Sequence, residues 1–405
     1  MKNILVIGGG FAGVWSAAGA VRTLRAHGVP AREIRVTLVS AGDDLVIRPR
    51  LYEADPGSMR VALDRVLGPI GVRRVAATVT GIDTEARSVT ALGRDGEPLT
   101  LPYDRLVLAA GSRTSRPPLP GIESVFDVDT LGAAAALDHH LRRLPEQAED
   151  EGQFTAVVIG AGFTGLEVAT ELTGRLREVA PASEAGRVRV VLVERAGELG
   201  PELGAGPRPH IAEALAGLGV EQRLGTTVER YEDGVVRLST GEAIPAATVV
   251  WTGGMAASPL TAQIPGERDR MGRLAVDAHL RVLGAPEVYA AGDTSAALAA
   301  EGRTVMQSCQ HAVPLGKFAG HNVAADLLGA DLVAFDPGPY VTCLDLGPAG
   351  AVVTAGWDRE VQSAGAEGKK MKQQINTEWI YPPVDDAEAI LTLADHRTIW
   401  PIDAA

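Results

Sequence analysis

The sequence predicts an α/β fold with two doubly wound parallel sheets and a small α+β domain at the C-terminus. Two observations support this prediction. An apolar strand, a glycine-rich turn, an alanine-rich helix and a second apolar strand follow one another near the N-terminus, and the same succession returns near the middle of the chain. Strands that alternate with helices favour parallel sheets built from βαβ units. The length of 405 residues suits two or three domains of ordinary size.

The first copy of this pattern begins with the apolar run 3–7, which predicts a strand. A glycine-rich turn follows, and the alanine-rich stretch after it predicts a helix over about residues 12–27. Gly28 and Pro30 end that helix, because glycine favours the left-handed C-cap and proline cannot continue the helical hydrogen bonds. The apolar run 35–40 predicts the next strand.

The second copy has the same layout. The run 155–159 predicts a strand, the helix after its glycine turn extends to about residue 179, and the run 188–194 predicts the next strand. Shorter apolar runs elsewhere predict further strands, at 75–82, 88–92, 99–101, 106–111, 249–254 and 288–293. The last of these runs ends in an acid, Asp293.

Composition excludes several classes of function. The net charge of −13 would repel the phosphates of nucleic acid and gives no attraction to anionic lipid. No apolar stretch reaches the ~20 residues of a membrane span. The only two cysteines, Cys309 and Cys343, are too few for a disulfide framework or a metal cluster. We therefore expect a cytoplasmic protein that holds no metal and binds no nucleic acid.

The first glycine turn has the pattern Gly8-x-Gly10-x-x-Gly13, directly after a strand and at the start of a helix. This setting predicts a dinucleotide site, because the glycines allow a tight turn and a close approach of the pyrophosphate to the backbone amides. The N-terminus of the helix then faces the phosphate charge. Ser40 replaces the acid that usually ends the next strand, and a hydroxyl binds a ribose more weakly than a carboxylate does.

The second glycine turn, Gly160-x-Gly162-x-x-Gly165, repeats the pattern, and here the next strand ends in Glu194. A carboxylate at that place accepts a hydrogen bond from the ribose 2′-hydroxyl and repels a 2′-phosphate, which favours NADH over NADPH. The neighbouring Arg195 keeps NADPH open as an alternative, because an arginine pairs with phosphate. The chain therefore predicts two separate dinucleotide sites.

Five motifs, taken in order, give the chain a resemblance to a known family; they lie at 8–13, 103–112, 160–167, 251–254 and 289–293. Over about residues 2–331 the chain resembles the two-dinucleotide-domain flavoproteins, the pyridine nucleotide-disulfide oxidoreductase-like proteins, and among them the type II NADH dehydrogenases. The resemblance implies two Rossmann-like domains, one for FAD and one for NADH, with the NADH domain inserted in the FAD domain. It implies four segments: 1–120 and 284–335 for FAD, 121–283 for the nicotinamide nucleotide, and 336–405 as a C-terminal domain on the dimer, membrane or acceptor side.

The resemblance also carries residues of the two cofactor sites over to this sequence. At the FAD site it implies Gly8, Gly10, Phe11, Ala12, Gly13, Ser40, Arg48, Pro49, Ala110, Gly111, Gly292 and Asp293, with Asp293 bonded to the ribityl chain. At the NADH site it implies Gly160, Gly162, Phe163, Thr164, Gly165, Glu194, Gly253 and Gly254.

The sequence argues against a disulfide as the electron acceptor, because the chain lacks the pair of nearby cysteines that disulfide reductases carry beside the flavin. The resemblance implies that Glu167 approaches the flavin and relays protons to a quinone, and that Gln307 belongs to a glutamine-containing motif at the ring. Gln310 and His311 follow Gln307, and amide and imidazole donors can bind a quinone carbonyl. For Glu167 a solvated helix face, and for His311 a satisfied core position, are equally open. We expect a quinone or quinone-like acceptor.

The C-terminal segment departs from the family pattern of amphipathic membrane helices. Its basic stretch 368–376 is poor in apolar residues, and the stretch 385–395 is acidic. Trp357 and Trp379 could anchor at a membrane surface or pack in a small core or homodimer contact. We expect contact with the inner face of the membrane to be peripheral at most. Two other functions stay open: a soluble reductase of a carrier protein or metabolite, and a flavin-dependent NADH sensor.

Overall fold

The structure is a computed structural model that describes residues 1–146 and 150–398. Strands are numbered in chain order, beginning with β1 (Lys2–Ile7), β2 (Ile34–Ser40), β3 (Asp44–Val46), β4 (Arg60–Ala62), β5 (Arg73–Asp83), β6 (Ser88–Gly93), β7 (Pro98–Pro102), β8 (Arg105–Leu108) and β9 (Ser112–Thr114). The middle of the chain forms β10 (Thr155–Ile159), β11 (Arg189–Glu194), β12 (Val220–Leu224), β13 (Val228–Glu232), β14 (Val235–Leu238), β15 (Ala243–Pro245), β16 (Thr248–Trp251) and β17 (Met255–Ala257). The remainder forms β18 (Arg281–Val282), β19 (Ala285–Ala290), β20 (Leu298–Ala300), β21 (Arg303–Thr304), β22 (Val341–Asp345), β23 (Ala351–Ala355) and β24 (Glu360–Ala364).

The α-helices lie between these strands and cover the sheets. They are α1 (Phe11–Ala26), α2 (Leu63–Leu67), α3 (Leu131–Arg143), α4 (Phe163–Val179), α5 (Arg208–Leu218), α6 (Cys309–Leu328), α7 (Gly365–Gln374) and α8 (Ala387–Leu393). Among the residues that the structure describes, no helix is both long enough and apolar enough to cross a membrane.

The largest sheet joins early and late parts of the chain, in the order β18-β19-β8-β1-β2-β5-β6-β7. Strand β1 pairs in parallel with β2 on one side and with β8 on the other, and β19 pairs in parallel with β8. Ile4, Leu5 and Val6 of β1 are fully buried, as expected of a parallel strand covered on both faces. Because parallel strands end at the same edge, β19 brings Asp293 to the edge where the first glycine turn lies.

The second sheet has the order β12-β11-β10-β16, with β10 parallel to both β11 and β16. Strands β13, β14 and β15 form a small antiparallel sheet, and their Val236 and Ile244 share an apolar core with Val157 and Val191 of the parallel sheet. Each glycine turn therefore follows an inner strand, β1 or β10, that has a parallel neighbour on both sides. The predicted fold class is confirmed.

The C-terminal part consists of an antiparallel sheet of β22, β23 and β24 with α7 beside it. Helix α7 continues as a π-helical turn over Ile375–Trp379. Helix α8 follows, and the Asp386 carboxylate caps it by accepting hydrogen bonds from the backbone of Glu388 and Ala389. These elements form the small α+β unit that the sequence predicts.

The main differences from the predicted elements are at the ends of three apolar runs. The strands expected over 106–111 and 249–254 end at Leu108 and Trp251. The last run was expected to continue as a strand over 288–293, whereas β19 ends at Ala290. Gly292 has φ +68°, a left-handed conformation that glycine adopts readily and that ends the extended chain. The limits of the four predicted segments stay a prediction, and the end of the last one, 399–405, lies outside the described residues.

Candidate active site

The first glycine turn is shaped to leave space for a ligand at the start of α1. Gly8 has φ +114°, and a Cβ there would collide with the carbonyl oxygen of Ala109. Gly10 lies immediately before α1, and a Cβ built on it would meet nothing within 4 Å. The first backbone N–H groups of α1 are therefore open to an anion, as a dinucleotide pyrophosphate requires.

The late glycine–aspartate motif meets this turn. A Cβ on Gly292 would lie 2.7 Å from the Cβ of Ala12, so the two segments touch through small residues. The Asp293 carboxylate accepts a hydrogen bond of 2.6 Å from the Ser112 hydroxyl. Gln307 donates its side-chain amide to the backbone oxygen of Asp293 at 3.3 Å. The structure thus brings together three of the motifs assigned to FAD.

Arg48 ties the same edge to a further segment of the chain. Its guanidinium donates to Ser112 Oγ at 2.9 Å, lies 3.5 Å from Asp293 Oδ2, and forms an ion pair with Asp129. Burial raises the pKa of Asp293, and the Ser112 hydrogen bond and the Arg48 charge act in the opposite direction. An acceptor carboxylate held beside an open helix N-terminus fits the ribityl and pyrophosphate parts of FAD.

Ser40, at the end of β2, lies against the first glycine turn. A Cβ on Gly9 would come within 2.6 Å of the Ser40 hydroxyl oxygen. The acids just beyond it are engaged elsewhere, since Asp43 pairs with Arg74 at 2.8 Å and Asp44 with Arg60 at 3.2 Å.

The second glycine turn repeats the geometry of the first on the second sheet. Gly160 has φ +105°, and α4 begins directly after Gly162. The Glu194 carboxylate accepts hydrogen bonds from the backbone N–H of Ala161 at 2.7 Å and of Ala196 at 2.8 Å. A carboxylate has about four acceptor positions, so these bonds fix its orientation and leave room for a ribose hydroxyl.

The segment that directly follows β16 lies against this second turn. The Thr252 hydroxyl donates to the backbone oxygen of Ile159 at 2.9 Å, and Gly253 packs against Gly160. The side chain of Arg195 is exposed to solvent.

Glu167 is buried on α4, and its partner comes from the C-terminal domain. Lys372 Nζ donates to Glu167 Oε1 at 2.7 Å, and the backbone N–H of Asp345 donates to the same oxygen at 3.2 Å. Burial raises the pKa of Glu167, and the Lys372 charge partly offsets this effect. Glu167 is therefore a buried carboxyl group that holds its proton to a higher pH than a solvated glutamate does.

Lys372 was not predicted as a site residue, although its spacing from two other polar residues indicates a shared helix face. Lys369, Lys372 and Asn376 follow the spacing i, i+3, i+7, which places them on one face of a helix. That face points inward: Lys369 Nζ donates to Asp345 at 2.5 Å, and Asn376 donates to Glu53 at 2.8 Å.

Tyr52 joins this polar cluster from the segment that follows Arg48. Its hydroxyl donates to Asp345 Oδ2 at 2.9 Å, and Asn376 Nδ2 lies 3.4 Å from the same hydroxyl. Asn376 belongs to the π-helical turn, a feature that is common at functional sites. The cluster connects the segment between β3 and β4, helix α4 and the C-terminal domain.

The structure gives different surroundings to the three polar residues expected around the start of α6, Gln307, Gln310 and His311. Gln307 reaches Asp293, whereas Gln310 donates to the backbone oxygen of Pro339 at 3.1 Å. His311 is 2% exposed, its ring lies 5.4 Å from that of Tyr340, and burial lowers its pKa to about 4. A neutral, packed histidine favours the core interpretation over that of a proton donor.

Neither cysteine is set up for thiol chemistry. Burial raises the pKa of Cys309 to about 11 and that of Cys343 to about 12, so both are thiols near neutral pH. Cys309 lies close enough to Lys372 and Glu167 for both charges to act on it, which places the pair near the start of α6.

Comparisons with known proteins agree with this geometry. A family model described as pyridine nucleotide-disulphide oxidoreductase matches residues 2–316. An NADH dehydrogenase-like protein of Mycobacterium tuberculosis is 46% identical over 402 residues, which cover 99% of this chain and 100% of the relative. A type II NADH:quinone oxidoreductase of Staphylococcus saprophyticus is 28% identical over 397 residues, 94% of this chain and 95% of the relative.

One solved structure shares the fold along the whole chain. The structure of NDH2 from Plasmodium falciparum in complex with NADH has a TM-score of 0.78 at 13% identity, covering 99% of this chain and 98% of that one. The resemblance and the enzyme class predicted from the motifs are confirmed. The chain belongs to the pyridine nucleotide-disulphide oxidoreductase family, on its type II NADH dehydrogenase branch.

Proposed function

We propose that this protein is an FAD-dependent dehydrogenase that takes a hydride from NADH and passes two electrons to a quinone-type acceptor. The observation that carries the proposal is a dinucleotide-binding turn on each parallel sheet, with the buried pair Glu167–Lys372 on the helix after the second turn. FAD, when bound, supplies the two-electron redox chemistry, while the protein positions the reactants and sets their electrostatics. The name of the Staphylococcus saprophyticus relative supports a quinone as acceptor.

At the FAD site we assign the pyrophosphate to the N-terminus of α1 and the ribityl hydroxyls to Asp293. Arg48 and Ser112 hold the Asp293 carboxylate in place. The other residues proposed here are Gly8, Gly10, Phe11, Ala12, Gly13, Ser40, Pro49, Ala110, Gly111 and Gly292. Gln307, bonded to the Asp293 backbone, places an amide at the same site.

At the nucleotide site we assign the ribose to Glu194, whose carboxylate accepts a 2′-hydroxyl and repels a 2′-phosphate. Arg195 is exposed to solvent, so the preference for NADH over NADPH rests on Glu194. The other residues proposed here are Gly160, Gly162, Phe163, Thr164, Gly165, Gly253 and Gly254.

On the acceptor side we propose that Glu167 and Lys372 hold the proton that quinone reduction consumes. The reaction of NADH with a quinone gives NAD⁺ and hydroquinone and takes up one proton from solution. Glu167, a buried carboxyl whose pKa burial raises, and the Lys372 ammonium group, which donates to Glu167 Oε1, are suited to this task. Gln310 and His311 stay weaker candidates, given their contacts with Pro339 and Tyr340.

We further propose the domain limits given above and a cytoplasmic protein with peripheral membrane contact at most. The apolar and aromatic residues of the C-terminal segment argue against firm attachment to a membrane, because they pack against the chain itself. Ile380 is buried, Tyr381 accepts a hydrogen bond of 2.9 Å from Arg50, and the Trp357 ring stacks on Tyr340 at 4.2 Å. A homodimer stays an alternative use of this surface.

The proposal is tested by the absorbance spectrum of the purified protein and its anaerobic reduction. We expect a bound-flavin spectrum that NADH bleaches faster than NADPH, and menadione should restore the colour. Restoration by ferredoxin-type proteins and not by menadione would favour a carrier-protein reductase. Bleaching that no acceptor reverses quickly would favour the NADH sensor.

A further inference from the structure

The two glycine turns, so alike in sequence, differ in what lies against their helices. At the first turn a Cβ on Gly10 would meet nothing within 4 Å. At the second turn a Cβ on Gly162 would lie 2.7 Å from Glu202 Oε1. A carboxylate therefore occupies the position at the start of α4 where a phosphate oxygen of a dinucleotide would bind.

An arginine from the C-terminal domain lies beside the same position. Arg359, in the turn between β23 and β24, is 7% exposed, and its Cζ lies 5.6 Å from the ring centre of Phe163. Its Nη2 donates to the backbone oxygen of Glu202 at 3.3 Å. Its Nη1 is buried and has no hydrogen-bond partner within residues 1–146 and 150–398. A buried guanidinium donor without an acceptor is costly, and such groups in native proteins call for an explanation.

The surrounding backbone is adapted to bring this side chain in. Arg359 has φ +59°, a left-handed conformation in which glycine or asparagine is usual, yet the chain keeps a long cationic side chain there. A Cβ on Gly204 would lie 3.2 Å from Arg359 Cγ, so the loop that carries Glu202 allows close approach only because that residue is glycine. Glu202, Gly204, Met306, Trp357 and Arg359 line a cavity of about 510 Å³, a size that suits part of a nucleotide.

We propose that Arg359 binds the pyrophosphate of the nicotinamide nucleotide and that Glu202 competes with that pyrophosphate for the start of α4. The inference rests on the proposed function and assigns it two residues outside the glycine fingerprint. When the nucleotide enters, the Glu202 side chain, which is already exposed to solvent, moves away from the start of α4, and the phosphate accepts from both the α4 amides and the guanidinium. The competing carboxylate shortens the residence of a nucleotide that must leave after every turnover.

The first test measures ligand affinity of the FAD-loaded protein by calorimetry, with ADP-ribose and with AMP, which lacks the pyrophosphate. Arg359→Gln should weaken ADP-ribose binding by about tenfold and leave AMP binding within about twofold, because a charge-assisted hydrogen bond to the pyrophosphate is lost. Arg303→Gln is the matched control, since Arg303 lines the same cavity but lies over the Trp357 ring, 5.4 Å from its centre. Equal weakening by both variants, or equal weakening of AMP and ADP-ribose, would overturn the proposal.

The second test uses the competing carboxylate and does not depend on how Arg359→Gln folds. Glu202→Gln should bind ADP-ribose about threefold or more tightly, because the negative charge leaves while the backbone oxygen that holds Arg359 remains. Unchanged or weaker binding contradicts the role of Glu202.

Anaerobic stopped-flow measurement of flavin reduction by NADH distinguishes a failure of this inference from a failure of the proposed function. In Arg359→Gln the NADH concentration for half-maximal flavin reduction should rise by the same factor as the ADP-ribose dissociation constant, with an unchanged limiting rate. A lower limiting rate at unchanged half-saturation overturns the binding role. A wild-type flavin that NADH does not reduce refutes the proposed function instead.

Discussion

Replacing Lys372 by methionine removes one partner of its buried pair with Glu167. The two side chains are 7% and 11% exposed and lie 2.7 Å apart, so solvent cannot screen the carboxylate that remains. Leaving a buried charge without its partner costs about 3–5 kcal/mol. For 405 residues the entropy of unfolding is about 0.85 kcal/mol/K, so this loss lowers Tm by about 4–6 °C.

The loss should depend on pH, and the sign follows from the raised pKa of Glu167. Because the folded protein holds this proton more tightly than the unfolded chain, the associated stability is present at low pH and is lost as pH rises from 4.5 through the folded pKa. Removing Lys372 raises the folded pKa further. The drop in Tm should therefore be small near pH 5 and grow toward pH 8.

The assay is thermal unfolding of the FAD-loaded protein across this pH range. Glu167→Gln combined with Lys372→Met should recover most of the lost Tm, since no buried charge remains. Lys370→Met is the control: Lys370 lies on the same helix with its side chain 72% exposed, and its pair with Glu367 should contribute less than about 1 °C. A pH-independent loss, or equal losses in the two lysine variants, would refute the reasoning.

Three further predictions concern the other groups of the site. Asp293→Asn should lower the fraction of protein purified with FAD, measured by the flavin-to-protein absorbance ratio, and a full complement of flavin would contradict its role. Glu194→Gln should shift the ratio of kcat/KM for NADPH over NADH upward by about tenfold, because the charge that repels the 2′-phosphate is lost. Since burial lowers the pKa of His311 to about 4, wild type should lose up to about 3 kcal/mol of stability as pH falls from 6.5 toward 4. His311→Asn should lack that part of the pH dependence in urea unfolding.

The parts of the fold that could be predicted are those encoded by local pattern. The buried strands β1 and β10, and helices α1 and α4, follow from apolar runs and the glycine turns next to them. Asp293 was assigned to FAD through the family resemblance that its motif carries, and parallel strands that end at one sheet edge bring it to the first glycine turn. The left-handed Gly292 that ends β19 early was not visible in the apolar run.

The rest of the site depends on contacts between distant segments. Lys372 lies 205 residues from Glu167 and comes from a stretch that is basic and poor in apolar residues, with no local sign of a buried partner. Arg359 belongs to a hairpin turn where sequence rules favour glycine, and nothing local indicates the nucleotide turn 196 residues earlier that it contacts. Binding motifs are local because backbone geometry requires them, whereas counter-charges can be supplied by any element that packs nearby.

The two glycine turns are therefore expected to differ in how tightly they hold their ligands. A retained cofactor needs an anion site that nothing else occupies, and the start of α1 beyond Gly10 is open in that way. A nucleotide that exchanges at every turnover gains from moderate affinity, since binding that is too tight slows product release. Glu202 at the start of α4 lowers the affinity, and Arg359 restores part of it. Removing the carboxylate should therefore slow the release of NAD⁺ and leave FAD retention unchanged.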